Sequence, residues 1–116
     1  MKIQFLGGAD RVGSLGMLLE EAGVRLLFDY GITPAAPPEY PMECPPIDMA
    51  LLSHAHIDHS GLIPVPVSRS DVPLLATSAT LEVSKILIED NLKVCRMEGF
   101  PEPFGRRTLR ALHQNY

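Results

Sequence analysis

Cysteine is scarce in this sequence, and the two cysteines that it has are far apart. Cys44 lies in a proline-rich stretch and Cys95 lies near the end of a predicted helix. Zinc knuckles and thiol redox pairs need cysteines at C-x-x-C spacing, which this sequence does not contain. We therefore expect two free thiols with no role of their own, and no disulfide bond between them in a reducing compartment.

Long apolar runs and a strong charge of one sign are also lacking. No run of about 18 apolar residues exists, so the sequence predicts no membrane span. The first stretch, MKIQFLGGADRVG, breaks at Gly7-Gly8. Its apolar part is too short for a secretory signal, and we expect a cytoplasmic protein. The net charge of −4 does not indicate a general affinity for nucleic acid.

Half of the basic residues nevertheless occur in the C-terminal part of the chain. Five of the ten lysines and arginines are found there: Lys93, Arg96, Arg106, Arg107 and Arg110. A solvated helix face is the simplest interpretation. A phosphate-facing surface is the alternative, which the total charge does not exclude.

The length of 116 residues predicts a single domain, 1–116, with a modest core. Three apolar runs joined by tight turns predict strands at 2–6, 14–21 and 24–28. Such short turns favour an antiparallel meander, because parallel strands need long crossovers. Residues 31–46 hold six of the eleven prolines and predict a long surface loop.

The second half of the sequence predicts strands alternating with helices. Residues 47–53 and 72–77 read as strands, and 60–69 begins like a helix that Pro64 and Pro66 keep short or distorted. A longer helix is predicted at 79–96, capped by Thr77 or Ser78. Its inward face follows helical spacing: Leu81, Ile88, Leu92 and Cys95. A last helix, 105–116, is predicted to direct Leu109 and Leu112 inward.

Three of the four histidines lie within SHAHIDHSG, residues 53–61, directly after the predicted strand 47–53. Histidine nitrogen and aspartate oxygen are good zinc ligands. Alternation along an extended segment would place His54, His56 and Asp58 on one side, with His59 turned away. The four can then supply two ligands to one metal ion and two to a second. A polar surface loop rich in histidine is the alternative, although unpaired polar groups are costly to bury without a cation.

Two further residues are weaker candidates for the same chemistry. Asp29 ends the third predicted strand, where it can be a turn residue or an acceptor that orients a ligand histidine or its loop. His113 lies on a predicted polar helix, and we expect it to be exposed rather than a distant ligand or general acid. The glycine-containing loop with Gly7, Gly8 and Gly13 does not match a nucleotide-binding motif.

These motifs resemble one known family. SHAHIDHSG resembles the second signature of the metallo-β-lactamase superfamily, and LLFDYG resembles the first, a strand-terminal aspartate. MKIQFLGGADRVGSLGMLLE is similar to the N-terminal hairpin region. LLSHAHIDHSGLIP, followed by LLATSATLEVSKILIEDNLKV, resembles the β-CASP ribonucleases, which include the endonuclease of mRNA 3′-end processing, ribonuclease J and their archaeal homologues.

The resemblance implies a fold and a reaction. The fold would be α/β, the N-terminal portion of an αββα sandwich with an antiparallel or mixed sheet and flanking helices. The reaction would be hydrolysis of RNA phosphodiesters with two zinc ions. His54 and His56 would bind one zinc, while Asp58 and His59 would bind the other and serve catalysis. Asp29 would support the ligands without touching the metal.

The later signatures of the family lie beyond the segment that matches. We therefore expect an N-terminal fragment whose reading frame continues past Tyr116, inactive alone and holding one zinc or none. Its RNA substrate would belong to the parent protein. An incomplete sandwich would expose a sheet edge and an apolar face, and such surfaces favour a homodimer.

Two other functions remain open. One is a different hydrolase of the same fold that acts on thioesters or lactams, because a fold and a motif do not determine a substrate. The other is a non-catalytic scaffold subunit that binds a partner.

Overall fold

A computed structural model describes residues 1–10 and 12–116 and shows a five-stranded mixed sheet with helices. The strands are β1 (Lys2–Gly7), β2 (Gly16–Glu21), β3 (Val24–Tyr30), β4 (Met49–Leu51) and β5 (Leu74–Leu75). The helices are α1 (Ile57–Ser60), α2 (Pro64–Ser70), α3 (Ser78–Met97), α4 (Arg106–Leu109) and α5 (Ala111–Gln114). The α/β fold class expected from the sequence is confirmed, with an architecture compatible with part of an α/β sandwich.

The strands lie in chain order across the sheet. β1, β2 and β3 form the expected antiparallel meander, whereas β4 and β5 run parallel to β3. The two parallel connections contain the proline-rich loop and the α1–α2 segment, since a parallel pair needs a crossover rather than a tight turn. The ends of β3 and β4 consequently point the same way, which brings the residues after both strands together.

One face of the sheet belongs to the core. Leu18, Leu27, Ala50 and Leu74 are paired in register across four strands, and none is more than 4% exposed. They join one buried cluster with residues from the helices, including Val67, Ile88 and Leu112. The inward face predicted for α3 is confirmed: Leu81, Ile88, Leu92 and Cys95 are all buried. Thr77 caps this helix by accepting a hydrogen bond from the Thr80 backbone N–H at 3.1 Å.

The expectation that Pro64 and Pro66 keep this helix short or distorted is confirmed for its length, since α2 has only 7 residues. Instead of distorting a helix, the two prolines begin one, because Pro64 is the first helical residue of α2 and Pro66 the third. The first turn of a helix has no intrahelical partner for its backbone N–H groups, so proline loses no hydrogen bond there. Both prolines are buried in the core side of the helix.

The opposite face of the sheet is apolar and uncovered. Two cross-strand rows run over it in register: Ile3, Leu19, Leu26 and Met49, then Phe5, Met17, Phe28, Leu51 and Leu75. None of these side chains is fully buried, none belongs to the core cluster, and Phe5 is 55% exposed. A continuous apolar surface of this kind favours association in water.

We expect the chain to self-associate through this apolar face, as the homodimer predicted from the sequence requires. Phe5→Lys is expected to weaken dimerisation at least about tenfold. The substitution removes apolar area from the interface and places the like charges of the two protomers in it. Sedimentation velocity measures the effect. Met97→Lys is the control, since Met97 is 75% exposed at the end of α3 and belongs to neither of the two cross-strand rows. A monomeric wild-type chain, or equal effects of both variants, would refute the expected interface.

Candidate functional site

The histidine-rich segment forms the junction between β4 and α1. His56 has an extended backbone (φ −58°, ψ 149°) and is the residue before the helix, while Asp58 and His59 lie in its first turn. The expected extended alternation through Asp58 was therefore wrong. The chain turns into a helix at Ile57 because backbone N–H groups of His59 and Ser60 donate to the His56 carbonyl, each at 2.9 Å.

This turn brings the three histidine rings together. The ring of His54 lies edge-on to those of His56 and His59, with centroid distances of 4.2 Å and 5.0 Å. Nε2 of His59 is 4.0 Å from Oδ2 of Asp58. The four residues predicted as metal ligands thus share one patch of surface. His54 and His56 are exposed on it, and Asp58 and His59 are half-buried.

Asp29 lies directly beneath this patch at the end of β3. Its Oδ2 is 2.9 Å from Nδ1 of His59 and accepts a second hydrogen bond from the Ser53 hydroxyl at 2.6 Å. Its Oδ1 accepts from the Ser53 backbone N–H at 2.8 Å. Asp29 also has a positive φ of 62°, a conformation that aspartate tolerates better than most residues. One buried carboxylate therefore joins β3, the end of β4 and α1.

The contact with Asp29 determines which nitrogen of His59 is free. A carboxylate only accepts hydrogen bonds, so the proton of the neutral imidazole lies on Nδ1. Nε2 is then left with its lone pair, on the side where Asp58 lies. This is the arrangement in which histidine binds a metal ion while a carboxylate orients the ring.

Backbone contacts hold α1 against the ends of β2 and β3. The N–H of Leu15 donates to the Asp58 carbonyl at 3.0 Å, and the N–H of Ile32 donates to the Ile57 carbonyl at 3.0 Å. Gly31 lies between them, so close that a Cβ atom there would be 1.8 Å from the Asp58 carbonyl oxygen. Gly31 was not predicted to be a site residue, although its position two residues after Asp29 could have indicated it.

Two serines also escaped the sequence analysis. Ser53 makes both of its hydrogen bonds to Asp29, as described above. Ser60 is fully buried, and its hydroxyl is within hydrogen-bonding distance of the carbonyls of Ala55 (2.9 Å) and His56 (3.1 Å). These contacts close the turn that carries the histidines. Ser53 and Ser60 flank the histidines with six residues between them. This S-x(6)-S spacing was the sequence feature that could have indicated their structural role.

The donor atoms suit zinc, but they do not yet form a complete set. Imidazole nitrogens and a carboxylate are the ligands that zinc prefers, and His59 already has the tautomer required. Within residues 1–10 and 12–116, however, no three His, Cys, Asp or Glu side chains are arranged to hold a metal ion. The residue types therefore suit zinc, and the side chains lie in pairs. A complete zinc site would need further ligands or a rearrangement of these side chains.

The remaining candidate residues lie away from this patch. His113 is exposed as expected, and its Nε2 is 3.2 Å from Oε1 of Glu82. Cys44 and Cys95 are free thiols, both buried. Burial raises the pKa of Cys44 to about 11, so this thiol stays protonated at neutral pH and is a poor nucleophile.

A cavity of about 570 Å³ borders the histidine patch. His56 and Asp58 form part of one wall, and α3 supplies Leu87 and Asn91 on the other side. A molecule bound in this cavity would contact His56 and Asp58, one member of each proposed ligand pair.

Comparison with known proteins agrees with the motifs. The chain is 31% identical to the Probable RNase MJ4 of Methanocaldococcus jannaschii, an alignment that covers 95% of this chain and 27% of that protein. It is 32% identical to Endoribonuclease ysh1 of Aspergillus fumigatus, over 95% of this chain and 13% of that protein. The chain is thus similar, over most of its length, to homologues of the β-CASP metallo-β-lactamase family.

A third relative is named for a different role. The chain is 29% identical to the Transcription termination factor FttA of Methanocaldococcus jannaschii, over 96% of this chain and 19% of that protein. The chain thus spans about a quarter or less of the length of these three relatives. No family model matches the sequence. Among residues 1–10 and 12–116, none of the helices has the length and apolar character needed to cross a bilayer.

Proposed function

We propose that this chain forms part of a zinc-dependent hydrolase of RNA phosphodiesters of the β-CASP type. The observation that carries the proposal is the hydrogen bond between Asp29 and His59, which orients the ring and frees Nε2 beside Asp58. A surface loop that was merely rich in histidine would not need a buried carboxylate beneath it. The names of the relatives, a ribonuclease and an endoribonuclease, support RNA as the substrate.

The proposed ligands fall into two pairs. His54 and His56, whose rings are 4.2 Å apart, would hold one zinc, and Asp58 with His59 would hold the second. Bound zinc would lower the pKa of a water molecule and stabilise the departing oxygen. The residues of this chain supply the positions: Asp29 fixes the His59 ring, and Leu15 and Ile32 fix the backbone of α1. The adjoining cavity admits the substrate.

The 116-residue chain is proposed to be inactive by itself. Within its described part, no three ligand side chains are arranged to hold one metal ion, and two catalytic zinc ions together need more than four protein ligands. We expect elemental analysis of the purified chain to find at most one zinc per chain, and RNA hydrolysis to be undetectable. About two tightly bound zinc ions per chain would contradict this expectation.

His59→Ala is expected to weaken zinc binding by about 10- to 100-fold, because it removes the ligand that Asp29 holds in place. Isothermal titration of the metal-free chain with zinc measures the loss. His113→Ala is the matched control, since it removes an exposed histidine that is paired with Glu82 and lies away from the patch. Equal affinities of both variants would eliminate the metal assignment.

The same variant tests the reaction class in a longer protein that contains this chain. His59→Ala is expected to abolish RNA cleavage there without unfolding, as shown by an unchanged circular dichroism spectrum. Thioester and lactam substrates are assayed in parallel. Turnover of either one in place of RNA would favour the alternative hydrolase, and retained RNA cleavage would refute the proposal.

A further inference from the structure

A second concave surface lies away from the histidine patch, between α3 and the C-terminal helices. This basic groove has a volume of about 360 Å³ and is lined chiefly by Lys85 and Glu89 of α3 and by Arg106, Arg110 and Gln114 on the opposite wall. The cavity beside the histidines is lined instead by Leu87, Asp90 and Asn91 of α3. Different faces of α3 therefore border the basic groove and the cavity beside the histidines.

The cations of the basic groove have no carboxylate partner among the described residues. Arg25, Arg69 and Arg96 each form an ion pair elsewhere on the chain. No such pair exists between described residues for Lys85, Arg106 or Arg110. Three unneutralised charges converging on a protein of net charge −4 repel one another, and an anion in the groove would relieve that repulsion.

The carboxylates near the groove do not cancel this charge. Among the described residues, Glu89 is the single acidic one in the lining, and no ion pair joins it to Lys85, Arg106 or Arg110. Glu82 interacts with His113 at the rim, at 3.2 Å. The groove therefore has an excess of positive charge even when His113 is neutral.

The arrangement of the arginines suits a phosphate chain. The Arg110 backbone N–H donates to the Arg106 carbonyl at 3.2 Å, so the two side chains lie one helical turn apart on the same face. A guanidinium presents parallel N–H donors that match phosphate oxygens. Apart from His113, the described residues of the lining include no ring on which a base could stack. Contacts to the backbone are thus favoured over contacts to bases.

We propose that the basic groove binds the phosphate backbone of single-stranded RNA, without regard to sequence. Lys85 contacts the strand from one wall, and Arg106 and Arg110 contact neighbouring phosphates from the other. The identity of the polymer rests on the proposed function, whereas the anion-binding chemistry rests on the groove itself. The groove holds RNA on the side of α3 away from the histidines, so it is a binding surface and takes no part in bond cleavage.

The test is fluorescence anisotropy of a labelled oligouridylate with the whole 116-residue chain, in EDTA and at several salt concentrations. Arg106→Gln combined with Arg110→Gln is expected to weaken binding about tenfold and to reduce the salt slope by about 0.7 for each phosphate that is no longer neutralised. Lys93→Gln combined with Arg107→Gln is the matched control. It removes the same charge from exposed positions outside the lining and is expected to change affinity less than about twofold.

Three results would overturn the proposal. They are no RNA binding by the wild-type chain, equal losses in the two double variants, and competition by polyglutamate as effective as competition by RNA of equal charge. The last result would identify an acidic polypeptide as the ligand. Because metal is absent throughout, a failure of the groove is separate from a failure of the proposed hydrolase, which zinc titration and cleavage assays test.

Discussion

Gly31→Ala is expected to detach α1 from the end of β3 and to lower zinc affinity at least about 100-fold. The added Cβ atom would lie 1.8 Å from the carbonyl oxygen of Asp58 and 2.6 Å from the backbone nitrogen of His59. Both obstacles are backbone atoms, so no side-chain rotation can relieve the clash. The strand and the helix must separate, and the ligands on α1 move with it.

The separation also breaks hydrogen bonds. The N–H of Gly31 donates to the Leu15 carbonyl at 2.8 Å, and its neighbour Ile32 donates to the Ile57 carbonyl at 3.0 Å. Loss of such bonds together with overpacking costs about 3 kcal/mol or more in the free energy of unfolding. Urea unfolding measures this loss, and zinc titration of the variant measures the effect on the site.

Gly105→Ala is the matched control for the Gly31 variant. Gly105 has an ordinary φ of −98°, and a Cβ atom there would meet nothing within 4 Å. The control is therefore expected to keep the stability and zinc affinity of the wild-type chain. A Gly31 variant that behaves like this control would show that α1 is not held against β3 in solution.

Asp29→Asn is expected to release the His59 ring and weaken zinc binding by about 10- to 100-fold. Asparagine tolerates the positive φ of this position, so the backbone conformation is preserved. Its amide group nevertheless replaces one accepting oxygen by a donor. At least one of the bonds from the Ser53 N–H, the Ser53 hydroxyl or His59 Nδ1 must then be lost.

Two measurements separate positioning from simple stability. Nitrogen NMR of the imidazoles is expected to show His59 protonated on Nδ1 in the wild-type chain and a shift toward the Nε2–H tautomer in the variant. Urea unfolding is expected to show a loss of about 1–3 kcal/mol. The tautomer readout does not depend on bound metal, so it tests the hydrogen bond even where zinc binding fails.

Asp71→Asn provides a matched control for the Asp29 variant. Asp71 has a similar positive φ of 52°, is exposed, and accepts a hydrogen bond from Asn115 on the far side of the chain. It is expected to alter stability by only about 0.5 kcal/mol and to leave the tautomer of His59 unchanged. An unaltered tautomer and zinc affinity in Asp29→Asn would refute the positioning role.

Local patterns of the sequence predicted most of the elements. The meander of β1, β2 and β3 follows from three apolar runs, the last two of which are separated by a two-residue turn. Helix α3 follows from the spacing of Leu81, Ile88, Leu92 and Cys95. Pro64 shows the limit of this reasoning. Whether a proline breaks or begins a helix depends on where the first turn starts, and the packing of α2 against the core decides that.

The candidate site was likewise predicted only in part from the sequence. The types and spacing of His54, His56, Asp58 and His59 indicated metal chemistry because they are neighbours in the chain. The turn into α1 was missed, since alternation assumes an extended backbone that His56 ends. The identity of the ring that Asp29 orients depends on a contact across 30 positions, which periodicity does not reveal.

The sequence by itself determined the meander of β1, β2 and β3, the helix α3, the ligand-type residues and the resemblance to the β-CASP proteins, because each depends on short-range order along the chain. Only the tertiary structure decided that β4 runs parallel to β3, and that direction brings Asp29, Ser53 and His59 to one edge of the sheet. It also decided that Gly31 must lack a side chain, because the backbone of α1 occupies that space.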